Sequence, residues 1–60
     1  MRLHELLDLA NSLEKYAAHL RYRGDQPAAE AAERMHAAVR AEALRLERAA
    51  QQFQEVAENA

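Results

Sequence analysis

The residues that could do chemistry are few and scattered. His4 and Asp8 stand four apart, a spacing that sets both on one face of a helix, where two ligands can reach the same cation. The run His4-Glu5-Leu6-Leu7-Asp8 has the outline of the HExxH zinc motif with Asp in place of the second His. Zinc takes three or four protein ligands. His19 lies so far along the same helix that helical rise separates it from His4 by more than roughly 20 Å, and His36 is expected to lie nearer the turn than His4 as well. No metal site is expected. Glu5 and Asp8 read as an acidic first turn favoured by the helix dipole.

Arg23-Gly24-Asp25 spells the tripeptide that integrins recognise, yet the same three residues are accounted for as a helix stop and a helix start. Catalysis has little to work with. Cys is absent, the hydroxyls are Ser12, Tyr16 and Tyr22, and no glycine-rich loop could cradle a phosphate. A two-helix hairpin also lacks a pocket that excludes water around a reacting group. The expectation is a protein that is not an enzyme and needs no cofactor.

One cluster has recognition chemistry. His19, Arg21 and Arg23, with Tyr16 and Tyr22 nearby, gather cations and aromatic rings towards the end of the first predicted helix. Cations are favoured there by the helix C-terminus alone. The same groups suit a carboxylate-bearing or phosphate-bearing partner, because guanidinium forks match those anions and Tyr can stack on a base. Arg34, Arg40, Arg45 and Arg48 extend the positive charge, but Glu30, Glu33, Glu42 and Glu47 interleave with them. Glu30 with Arg34 and Glu42 with Arg45 are spaced as intrahelical pairs. A mixed-sign face is usually solvated, and a formal net charge of −2 gives no long-range pull on nucleic acid.

These side chains must be positioned by helices. The 60 residues are 50 % apolar and 30 % charged; Ala, Leu, Glu, Arg and Gln dominate, and the β-branched residues are Val39 and Val56 alone, a helical composition. The one Gly and the one Pro fall together in Arg23-Gly24-Asp25-Gln26-Pro27. Gly24 can take the left-handed conformation that ends a helix, Asp25 can accept from the free N–H groups of the next, and Pro27 lacks an N–H that would be unpaired there. The reading is one all-α domain over 1–60, a two-helix antiparallel hairpin. Its helix 1 runs over about residues 2–22, the turn over 23–26 and helix 2 over about 26–58.

Leu3, Leu6, Ala10, Leu13, Ala17 and Leu20 form a heptad seam on helix 1. Leu7, Leu9 and Tyr16 flank it, so the stripe suits a helix with two neighbours. On helix 2 the same rule runs through Ala28, Ala32, Met35, Val39, Leu46, Ala49, Phe53, Val56 and Ala60, with Glu42 interrupting it. Glu42 either emerges at the edge or pairs with an Arg of another subunit. A second stripe passes through Ala37, Ala41 and Leu44.

Half of the apolar residues are Ala: fifteen, against eight Leu, two Val, two Met, two Tyr and one Phe. Burying a large apolar side chain contributes roughly 1.5–3 kcal/mol, while ordering each residue costs about 1.5 kcal/mol, so a solitary monomer is marginal. With no disulfide or metal available, self-association is the remaining support. The helix lengths agree. At 1.5 Å per residue, helix 2 outreaches helix 1 by about ten residues, and Phe53 and Val56 lie on that overhang. A second copy, making a four-helix bundle, or another protein should cover them. Glu55, Glu58 and the carboxylate make that end acidic.

No apolar run exceeds three residues, which excludes a signal peptide and a membrane span; the expectation is a cytoplasmic protein that does not bind membranes. In layout the chain resembles the small plasmid-encoded RNA-binding hairpins of the Rop type, which dimerise into antiparallel four-helix bundles. That resemblance implies RNA bound through a basic face of helix 1. Here helix 1 opens with Glu5 and Asp8 and holds one Lys, so no functional residue is carried over. Small helical hairpins also occur among type III secretion co-chaperones and phage-encoded inhibitors of host proteins. The leading expectation is a homodimeric interaction protein acting on a second protein as inhibitor, adaptor or chaperone, with contacts at Tyr16, Arg21, Tyr22, Arg23, Phe53 and Val56. The alternative is a Rop-like dimeric nucleic-acid-binding regulator.

Overall fold

The structure, a computed structural model, describes the backbone of residues 2–59 and the side chains of residues 2–56. Ala60 and the side chain of Glu58, both named above, lie outside those limits. Two helices, α1 (Leu3–Tyr22) and α2 (Gln26–Asn59), pack against each other as a hairpin.

The turn is built from backbone. Gly24 adopts φ +83°, the left-handed conformation that closes a helix. Its N–H donates to the Arg21 carbonyl at 3.0 Å, and the Asp25 N–H reaches back to the Leu20 carbonyl at 2.9 Å. This crossed pair is a Schellman motif, and it satisfies two of the carbonyls that a helix end leaves free. Asp25 then opens α2. Its Oδ1 accepts from the Ala28 N–H at 3.3 Å and its carbonyl from the Ala29 N–H at 3.0 Å. Pro27 sits in the first turn of α2, where a missing donor loses nothing. At the other end of α1, Arg2 precedes the helix without a side-chain cap, and Glu5 supplies the first-turn negative charge.

On α1 every position of the predicted seam is buried or half-buried, from Leu3 to Leu20. On α2 the seam differs from the sequence reading. The inward series at heptad spacing is Ala29, Ala32, His36, Val39, Ala43 and Leu46, with Ala28, Ala31 and Glu42 half-buried beside it, so the seam is centred one position on from Ala28, Met35 and Glu42. Ala32, Val39 and Leu46 are common to both series. The reason is the cost of burying charge. A seam through Glu42 would press a carboxylate into an apolar interface, whereas Ala43 leaves Glu42 on the flank at the expense of exposing Met35, which is 57 % accessible.

The resulting core is small. Of the seven buried apolar residues among those described, five are Ala and two are Leu, Leu6 and Leu20. Ala17, Leu20, Ala29 and Ala32 form one cluster beside the turn, with Ala28 against it. Small residues let two helices approach closely but remove little apolar area from water. The molecule is a rod of 55 × 15 × 14 Å with a radius of gyration of 15.5 Å, against about 10 Å for a compact chain of this length. No helix is long and apolar enough to cross a membrane among the described residues.

Candidate interaction surfaces

The six residues singled out for partner contact do not form one site. Arg21, Tyr22 and Arg23 lie together at the turn. Phe53 and Val56 lie towards the far end of α2, roughly 40 Å away by helical rise. Tyr16 stands between them on the outer flank of α1, exposed.

At the turn, Tyr22 is 91 % accessible and Arg23 is exposed beside it. Arg21 is engaged within the hairpin. Its Nε donates to Glu33 Oε1 at 2.6 Å, its Nη2 lies 2.5 Å from the same oxygen, and its Nη1 donates to Gln26 Oε1 at 3.0 Å. Gln26 in turn donates to Glu30 at 3.3 Å, so Glu30 is held by Gln26 rather than by Arg34, the partner its spacing suggested. A guanidinium shared in this way has fewer donors left for a phosphate. Gly24 and Asp25 are used in the helix stop and start described above, and the Arg23 N–H donates to the His19 carbonyl at 3.0 Å as α1 ends.

At the far end, residues 47–56 are exposed without exception. Phe53 is 78 % and Val56 69 % accessible. Extending the observed seam from Ala43 and Leu46 by the same 4 and 3 spacing reaches Ala50 and Phe53, so Phe53 stands where the apolar interface would continue if α1 were longer. The overhang is the part of the seam that has no facing helix.

Sequence reasoning identified a second apolar stripe on α2 but did not join it to α1. The structure places Leu7 of α1 next to Ala37, Ala41, Ala43 and Leu44 in an open groove of about 310 Å³, rimmed by Arg40 and Glu47. The signal was present. A chain folded at Gly24 and Asp25 sets residues whose numbers sum to about 50 at one level, which pairs Leu7 with positions 43 and 44.

Two further pairs complete the electrostatics. Glu42 pairs with its own chain's Arg45, whose Nε donates to Oε2 at 3.0 Å and whose Nη2 bonds Oε1. That hydrogen bond, aided by the charge of Arg45, holds the Glu42 carboxyl below its ordinary value of 4.5 and raises Arg45. Within its own chain Glu42 is half-buried, with its carboxylate held by Arg45. His36 Nε2 lies 4.0 Å from Glu14 Oε2, beyond hydrogen-bond reach. His4 and Asp8 are exposed, and no group of three or more His, Cys, Asp or Glu is arranged to hold a metal among the described residues.

Comparison of the chain with protein-family models, with curated proteins and with solved structures finds no match in any of the three.

Proposed function

We propose that this chain is a non-enzymatic helical hairpin that self-associates into a four-helix bundle and docks a helical surface onto another protein, as an inhibitor, adaptor or chaperone. The observation that carries the reading is the unpaired length of α2, where Phe53, at 78 % accessibility, occupies a seam position with no facing helix. Leaving a large aromatic side chain in water forgoes one of the few substantial apolar contributions available to so small a core. Below about 70–80 residues, oligomerisation is one of the few substitutes for a larger core. The exposed Tyr22 and Arg23 at the turn belong to residue types that anchor protein interfaces.

Solution mass tests the self-association. A fully folded 6.8 kDa species at micromolar concentration refutes it, and a species of twice that mass supports it. For the docking, Phe53→Asp is expected to abolish either the dimer or the capture of a partner from the native host. A variant that retains both removes the overhang from the reading.

A further inference from the structure

We infer that the groove between Leu7 and Leu44 is the seat of a second copy of this chain, bound antiparallel about a two-fold axis that crosses α2 between Ala43 and Leu44. This rests on the self-association proposed above and names the surface and the register. The first support is charge. The groove is rimmed by Arg40 and Glu47, seven residues apart in sequence and so on nearly one face of α2. The ion pairs of the hairpin use Arg21 with Glu33 and Arg45 with Glu42, and Arg40 and Glu47, like Arg34 and Arg48, have no ionic partner among the described residues. In a two-fold interface, residue i meets j and j meets i. An antiparallel axis midway between them sets each Arg40 beside the second copy's Glu47, twice over. A parallel arrangement sets Arg40 beside Arg40 and Glu47 beside Glu47, and flanking charges of this kind set orientation in helical assemblies.

The second support is length. The axis that pairs these charges falls between residues 43 and 44, and the midpoint of Gln26–Asn59 falls between residues 42 and 43. The register chosen by charge therefore overlaps the two long helices over almost their whole extent. Leu7 lies at the level of that axis, so the Leu7 and Leu44 side chains of both copies converge on the centre of the interface. The same register carries the second copy's α1 past the end of the first α1, with its Tyr16 level with Phe53. The unequal arms of the hairpin become complementary halves of one bundle.

The test is a charge exchange read by sedimentation equilibrium at low salt, on the full chain. Arg40→Glu and Glu47→Arg each replace two attractive contacts per dimer with two repulsive ones, and each is expected to weaken the dimer by about tenfold or more. The double variant restores both attractions and should return to the wild-type dissociation constant. An equimolar mixture of the two single variants should form heterodimers in preference to either homodimer, which keeps the test decisive even if a single variant alone is poorly folded. A monomeric wild type overturns both this inference and the self-association beneath it. A dimeric wild type whose single variants associate unchanged, or whose double variant is no better than the singles, overturns the groove and leaves self-association to the Phe53 overhang.

Discussion

Gly24 holds the turn through its backbone alone. At φ +83° a side chain is strained, yet a Cβ built there meets nothing within 4 Å, so substitution tests conformation without a clash. Gly24→Ala is expected to cost about 1–2 kcal/mol, and Gly24→Asn less, because Asn tolerates the left-handed region. Each kcal/mol lowers the thermal midpoint of a domain this small by about 4–8 °C, so a melting curve resolves the series. An Ala variant that melts with the wild type would show that the Schellman turn does not hold the hairpin closed. Glu42 makes the complementary case, in which a charge matters and the backbone does not. Its carboxyl lies below 4.5 in the folded chain because Arg45 donates to it, so the unfolded chain binds the proton first. The stability this pair supplies is present above about pH 4.5 and is lost as pH falls through the lower folded value. Glu42→Gln should flatten that acid limb in a pH series of melting curves, and an unchanged limb assigns it to other carboxylates.

The two helices differ in how far their packing could be read from the sequence. On α1 the seam was legible to the residue, because three Leu at heptad spacing, Leu6, Leu13 and Leu20, admit one phase. On α2 the phase was ambiguous. Ala occupies both members of the neighbouring pairs 28 and 29, 31 and 32, 37 and 38, and 49 and 50, so a one-residue rotation changes almost nothing in apolar content. The size of Met35 favours one phase, and the structure takes the other, which sets Glu42 on the half-buried flank of the interface. That rotation brings a half-buried imidazole onto the seam, with His36 standing between Ala32 and Val39. Partial burial of a Leu there in place of His should contribute about 1 kcal/mol of apolar transfer. His36→Leu is therefore expected to raise the melting midpoint by about 4–8 °C. A lower midpoint would mean that the Ala-rich seam is closed too tightly to accept a branched side chain.

At the scale of the whole molecule, one Gly–Pro punctuation and two unequal helical stretches were enough to lay out the rod, whereas its surfaces were not legible in the same way. Proximity along the chain groups Tyr16, Arg21, Tyr22 and Arg23, whereas grouping Leu7 with Leu44 takes the further step of matching levels across the turn. A rod whose buried residues are mostly Ala, and whose large apolar groups Phe53, Val56, Met35 and Leu44 are exposed, keeps most of its unspent hydrophobic free energy at its surface. If that surface is covered by a second copy, folding and association are one equilibrium, and the melting midpoint depends on concentration by mass action. Two copies of 60 residues unfolding together at about 0.7 kcal/mol per residue give an enthalpy for which each tenfold rise in concentration lifts the midpoint by about 6 °C. Melting curves from about 5 to 500 μM should therefore shift by about 12 °C, a slope set by the enthalpy of a dimer and not of a single hairpin. A midpoint that stays fixed over that range would mean that the isolated hairpin carries its own stability, with Ala10, Ala17, Ala29, Ala32 and Ala43 sufficing as a core, and would leave the exposed apolar surface without a structural need for company.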